Sequence, residues 1–228
     1  MNKNMDETGF TANGKNETGF TANGKNEWRY TTPASSRCAR AVLAFDIETT
    51  GLDPERCMVT CICAYDPERD IERSFVFELG DSEPAEEFLA LLDDAPLLCA
   101  FNGVRFDLPF LARRWGIPDE RVGGWVRKMI DPFEACKLAL NRTFSLNKLL
   151  VANGLPVKTG SGLEAVRMAH EKRWAELAEY CMHDTKMTHA AVTILGGAIL
   201  PPETVSATPA GYYNGSNSKG RRWPPRKK

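Results

Sequence analysis

Three apolar stretches of this chain are each broken by carboxylates, and that limits the folds open to it. AVLAFDIETTG carries Asp46 and Glu48, CAFNGVRFDLPFL carries Asp107, and YCMHD carries Asp184 ahead of the apolar Ala191, Val192 and Leu195. A carboxylate buried without a partner costs several kcal/mol. Chains keep such acids inside when the fold brings them together around cations. The spacing therefore predicts a fold in which distant segments meet at one metal-holding point.

The elements that carry the acids follow from periodicity. Residues 40–48 read as a strand ending at Thr50-Gly51, so Asp46 and Glu48 share a face with Val42 and Ala44. Leu43, Phe45 and Ile47 face the other way. Two carboxylates at i and i+2 repel unless cations lie between them, although a strand end turning polar would give the same letters. Residues 58–65 and 73–79 read as two more strands of a meander. Ser82, Glu83, Pro84 and Glu86 have the chemistry of a helix start, which predicts a helix over 83–93. The wholly apolar 96–101 is a buried strand, 107–115 begins a helix, and 125–130 reads as a fifth strand. Asp131, Pro132 and Glu134 make a capping box for a helix over 132–140. Ser145 caps another, and 163–170 and 173–196 supply the last two. The expected class is α/β: a three-layer domain with a mixed five-stranded sheet and helices on both faces.

Asp107 follows the 96–101 strand through Asn102-Gly103, a tight-turn pair, and stands where a helix-capping aspartate would also stand. Tyr180 and Asp184 are one helical turn apart and share a face. Each is weak alone. Four acids in this order, on a strand, after a strand and on a final helix, are a strong joint pattern.

The flanks differ from the body. Residues 7–16 and 17–26 are the same ten residues, ETGFTANGKN, too few and too polar for a solenoid. Residues 1–38 read as a flexible leader, 39–198 as the domain, and 199–228 as a flexible basic tail. The net charge of −1 hides residues 40–198, with 18 basic and 25 acidic side chains. That body is unlike a protein that coats nucleic acid with one basic face, and suits one that holds divalent cations. The tail KGRRWPPRKK either grips a phosphate backbone or is a solvated end. There is no apolar signal-peptide core near Met1, and seven cysteines, an odd number, fit a reducing interior. An intracellular, cytoplasmic protein is expected, with the nucleus open.

DIETTG, NGVRFDLPFL and YCMHD resemble the three motifs of the DEDD 3′–5′ exonucleases of the ribonuclease H-like superfamily, over roughly residues 40–197. The first two are most similar to the proofreading domains of family B DNA polymerases and their stand-alone relatives. Tyr180, four before Asp184, with Glu179 where another subclass has His, points to the tyrosine subclass, DEDDy. The resemblance implies a ribonuclease H-like fold and two Mg²⁺ or Mn²⁺ ions. It implies that Asp46, Glu48 and Asp184 hold the first ion, Asp46 and Asp107 the second, and that Tyr180 orients the attacking water. It implies hydrolysis of phosphodiester bonds at the 3′ end of single-stranded or frayed DNA or RNA, DNA slightly favoured, releasing nucleoside 5′-monophosphates. By the same resemblance Thr49, Leu52, Asn102 and Phe106 line the terminal nucleotide, although core packing would also account for Leu52 and Phe106. A binding module or an endonuclease on the same scaffold are the rival readings.

Other residues have plainer expectations. Cys61 and Cys63 share a strand face with no second Cys/His cluster in the sequence to complete a zinc site, so they read as small hydrophobes. Asp131 reads as a cap and His183 as a surface or packing residue. Arg113, Arg114, Arg127 and Lys128 are the basic side chains of the body best placed to meet phosphate, with solvated surface as the default.

Overall fold

The computed structural model of the chain describes residues 20–23, 27–30, 41–80, 83–157 and 160–195. Two units separate, Met1–Ala39 and Arg40–Lys228. In the first, β1 (Phe20–Asn23) pairs antiparallel with β2 (Glu27–Tyr30) in the register Phe20↔Tyr30 to Asn23↔Glu27. The first strand of this pair comes from the second copy of the repeat. The first copy and the basic tail lie outside the described residues.

In the second unit β3 (Val42–Thr49), β4 (Val59–Asp66) and β5 (Ile71–Val76) form the expected antiparallel meander. β6 (Leu97–Cys99) and β7 (Met129–Ile130) extend it in parallel, giving the order β5-β4-β3-β6-β7. Among the described residues seven α-helices complete the layers. They are α1 (Glu86–Asp94), α2 (Asp107–Trp115), α3 (Asp119–Arg127), α4 (Pro132–Leu140), α5 (Leu146–Ala152), α6 (Gly162–His170) and α7 (Trp174–Leu195). Among the described residues no helix is long and apolar enough to cross a membrane.

The two sheet faces have different chemistry, as alternation along β3 dictates. On one face Leu43, Phe45 and Ile47 join Ile62, Ala64 and Leu98 under Phe88 and Leu92 of α1, Phe110 and Leu111 of α2, and Val122 and Trp125 of α3. Phe45 meets the Phe88 ring edge-on at 5.7 Å and Phe75 lies 5.9 Å from it. On the other face the positions beside the acids are small: Cys61 and Cys63 pack against Ala165 and Ala169 of α6 and Leu177 and Cys181 of α7. Ala44 and Cys99 meet Val192 of α7. Small side chains on both surfaces let a helix lie close to a sheet, and α7 covers the strands that carry the acids.

Two local readings needed correction. Residues 125–130, read as a strand, are the end of α3 followed by the two-residue β7. Val122 and Trp125, one turn apart, bury the helix's inner face, and the Trp125 indole N–H donates to Asp93 Oδ1 at 2.7 Å. α1 begins at Glu86 with Ala85 at its N-cap and no side-chain cap; Ser82 lies outside the described residues.

The apolar layer sets the stability. Phe88 is fully buried at its centre. Phe88→Ala is expected to lower the unfolding free energy by about 3–5 kcal/mol. Urea unfolding should show this as a lower midpoint with an unchanged slope.

Candidate active site

β3 runs past its parallel neighbour, because β6 pairs only with Val42, Leu43 and Ala44. The acids sit on that overhang. Asp46 lies opposite Cys63 of β4 and Glu48 opposite Cys61, and a register shift follows between Glu48 and Thr49. Such an irregularity bends a strand and re-aims its side chains. The next turn is held by its own groups: the Thr49 hydroxyl donates to the Gly51 carbonyl at 2.7 Å, and the Met58 amide donates to Thr50 Oγ1 at 2.9 Å. A Cβ at Gly51 would come within 2.8 Å of Cys57 Sγ, so a larger residue there would displace that side chain.

Asp107 opens α2 and is only 3% exposed. The Ile47 amide, between the two β3 acids in the chain, hydrogen-bonds to its carboxylate, while its Oδ1 is buried with no hydrogen-bond partner. Burial, and then the negative charge of Asp131, push this carboxyl up to about 7. The capping alternative fails, since Asp107 is the first helical residue and Phe106 stands at the N-cap.

The 102–106 loop that delivers Asp107 is tied down by Asp131. One Asp131 oxygen accepts from the amides of Asn102 (2.9 Å), Phe133 (3.0 Å) and Glu134 (3.4 Å), and the other from Val104 (3.1 Å). Asn102 adopts φ 66°, and a Cβ on Gly103 would fall 2.4 Å from Ala100 Cβ. These amide bonds favour the carboxylate, but burial outweighs them and leaves Asp131 raised to about 6. The expectation that Asp131 is only a helix cap was too narrow: it also fixes the loop ahead of Asp107. Glu134, expected to reach back in a capping box, instead pairs with Arg105, with Nη2 to Oε2 at 3.1 Å.

α7 brings the remaining residues. Tyr180 is 6% exposed and Asp184 3%. Gly160 lies against the Tyr180 ring, where a Cβ would approach Cε2 to 2.8 Å. Between them Cys181 points its Sγ at the Asp46 carbonyl (3.6 Å) and Asp46 Oδ2 (4.0 Å). Among the described residues the ligand-type atoms that converge within 4.8 Å are Asp46, Glu48 and Cys181, and also Cys61, Cys63 and Cys181. Neither set includes Asp107 or Asp184. Asp107 reaches the acid strand at Ile47, and Asp184 stands one helical turn beyond the thiol that touches Asp46.

A groove of about 380 Å³ is lined by Leu52, Asn102, Phe106 and Phe133, with Arg105 and Lys137 among its polar side chains. Leu52 is 81% exposed, so core packing does not explain it. Phe106 packs on Phe110, with centroids 5.6 Å apart, and still lines the groove. Thr49 does not line it; this buried residue serves the turn. The cations expected to meet phosphate are partly committed elsewhere: Lys128 donates to the carbonyls of Asp93 and Ala95, and Arg113 pairs with Glu55. Arg105 and Lys137 were missed as groove residues. Arg105 lies two residues before Asp107, and Lys137 lies one turn after Phe133 on α4, and those positions were the available signal.

An antiparallel meander continued by parallel strands, layered by helices on both faces and carrying acids at one end, is a ribonuclease H-like domain. The model of the RNase_H superfamily matches residues 43–193, and the chain belongs to that superfamily. A similar structure is the family B DNA polymerase from the hyperthermophilic archaeon Pyrobaculum calidifontis, with TM-score 0.59 and 19% identity. That match covers 80% of this chain and 29% of the polymerase, so the chain spans less than a third of its length. Another is a nuclease in its apo form, with TM-score 0.54 and 20% identity over 74% of this chain and 79% of that one. No curated protein matches the chain.

Asp107 gives a signed test. Its folded value, about 7, lies above the ordinary 3.8, so its ionisation destabilises the fold as pH rises through that window and costs nothing below it. With EDTA present, Asp107→Asn should be more stable than the unsubstituted protein at about pH 8, by about 2 kcal/mol or more. The gain should vanish near pH 4 and shrink when Mg²⁺ is added, as followed by thermal melting.

Proposed function

We propose that this chain is a metal-dependent 3′–5′ exonuclease of the tyrosine subclass, acting on single-stranded or frayed DNA or RNA ends. The observation that carries the reading is the meeting of three elements at the end of β3. Asp46 and Glu48 sit side by side against Cys181 of α7, Asp107 meets the Ile47 amide between them, and Tyr180 and Asp184 flank Cys181 on its helix. The buried Asp107 Oδ1 without a hydrogen-bond partner fits a missing cation, and a set of carboxylate oxygens suits a hard ion such as Mg²⁺ or Mn²⁺. Asp46, Glu48 and Asp184 would hold one ion and Asp46 with Asp107 a second. Bound there, such ions lower the pKa of water and neutralise charge on the attacking and leaving oxygens.

The chain's own groups do the positioning. Tyr180 orients the water with its phenol, a hydroxyl that can both donate and accept a hydrogen bond. Leu52 and Phe106 offer apolar and aromatic surface for the terminal bases, a contact that accepts any base. Lys137 faces the same groove and neutralises the backbone of the incoming strand, while Arg105 lines it in its pair with Glu134. Asn102, fixed by Asp131, completes the groove beside the acids. The products are nucleoside 5′-monophosphates, and the slight preference for DNA rests on motif wording alone.

Oligomers labelled at the 5′ end, as DNA and as RNA, test this with Mg²⁺ and with Mn²⁺. A descending ladder is expected, abolished by EDTA, by Asp46→Ala and by Asp184→Ala. Tyr180→Phe should slow it roughly 10- to 100-fold through loss of positioning. Internal cuts in a circular single strand, or oligomers bound and never shortened, would overturn the proposal.

A further inference from the structure

A second donor set of opposite chemistry lies directly behind the acids. Cys61 and Cys63 are the cross-strand neighbours of Glu48 and Asp46, and therefore share their face of the sheet. Cys181 reaches down from α7 onto both pairs. The three sulfurs lie within 4.8 Å of one another, Cys61 and Cys63 at 3.9 Å, and all three residues are fully buried. Their present contacts are weak: Cys63 with the Ser74 hydroxyl (3.3 Å) and the Ala178 carbonyl (3.6 Å), and Cys181 with Asp46.

Small-hydrophobe packing explains one buried cysteine, but it does not explain three sulfurs pointed at a common centre. Tetrahedral zinc with sulfur at 2.3 Å requires sulfurs about 3.8 Å apart, close to the spacing present. The Cys181 sulfur also lies within 4.8 Å of carboxylate oxygens of Asp46 and Glu48, so Cys181 belongs to both donor sets. We propose that Cys61, Cys63 and Cys181 form a site for a thiophilic divalent cation such as Zn²⁺, and that its occupancy shuts off the neighbouring acid site. Each thiol that ligates loses its proton to solvent as the metal–sulfur bond forms, and no oxidant or reductant is needed. All three thiols are buried, while Asp46, beside the Cys181 sulfur, is not, so the ion enters past it.

The two sites sort ions by softness. Mg²⁺ and Mn²⁺ prefer carboxylate oxygen and leave the thiols alone, whereas Zn²⁺ and Cd²⁺ take sulfur. Because Cys181 belongs to both sets, a thiophilic ion held by the thiols sets its charge against Asp46 and competes with the hard-metal site. The binding step stands on the thiol geometry alone; the inhibition step rests on the nuclease reading.

The test uses the reduced full chain and Cd²⁺, whose thiolate bonds give a charge-transfer band in the ultraviolet. A band that saturates at one equivalent and is lost in Cys61→Ala and in Cys63→Ala is expected. In parallel, Zn²⁺ should block oligomer degradation in excess Mg²⁺, and either substitution should raise the Zn²⁺ concentration needed by roughly tenfold or more. A Cd²⁺ band unchanged by both substitutions, or no band at one equivalent, overturns the site. Equal Zn²⁺ inhibition of both variants and the unsubstituted chain overturns the shut-off. If the chain degrades no oligomer at all, the nuclease reading and the shut-off fall together, while the Cd²⁺ band still decides the thiol site. The ultraviolet titration of the unsubstituted chain remains decisive if a variant does not fold.

Discussion

A carboxylate taken out of water must find charge or hydrogen bonds to replace its hydration, and one end of this sheet withdraws several at once. Glu48, Asp107, Asp131 and Asp184 are all buried, with Asp46 beside them. Asp131 meets the demand with four backbone amides, and in doing so freezes the loop from Asn102 to Val104. Asp107 has one amide from β3 and an oxygen left over. The difference between these two neighbouring aspartates separates a structural acid from a candidate ligand. Both have raised pKa values; only the first has its oxygens occupied.

The second constraint is how closely α7 lies on the sheet. The apolar face is filled by Phe45, Phe88, Phe110 and Trp125, large groups that fix three helices at ordinary packing distance. The opposite face replaces them with alanine and cysteine, and α7 settles near enough for the Cys181 sulfur to touch the Asp46 carbonyl. Tyr180 and Asp184 flank Cys181 on the same helix. The close approach of α7 also places soft sulfur donors against hard oxygen donors, the juxtaposition on which the thiophilic-ion site depends. The same packing choice thus serves both inferences.

Much of this was legible in the sequence because the signals were local. The alternation of AVLAFDIETTG placed Asp46 and Glu48 on one face of β3, and Asp131 with Pro132 and Ser145 marked the starts of α4 and α5 where they occur. α2 and α7 fell within a residue of expectation, and the sheet is mixed and five-stranded as read. α3 was missed because Gly123 and Gly124 weaken its helical signal by about 1 kcal/mol each and WVRKMI carries the aromatic and β-branched residues favoured in strands. Burial of Val122 and Trp125 decided the outcome, and that is a tertiary effect. The remaining misses were long-range as well. Nothing near Asp131 announces its bonds to residues 102 and 104, nothing near Cys181 announces Cys61 and Cys63, and the pairing of Arg105 with Glu134 spans 29 residues.

The account depends on acids from β3, α2 and α7 closing on shared divalent cations. Anomalous scattering from Mn²⁺ bound in crystals of the chain measures that directly. Peaks ringed by Asp46, Glu48, Asp107 and Asp184 are what it predicts. Mn²⁺ scattered over surface carboxylates, with no peak at the end of β3, would contradict it.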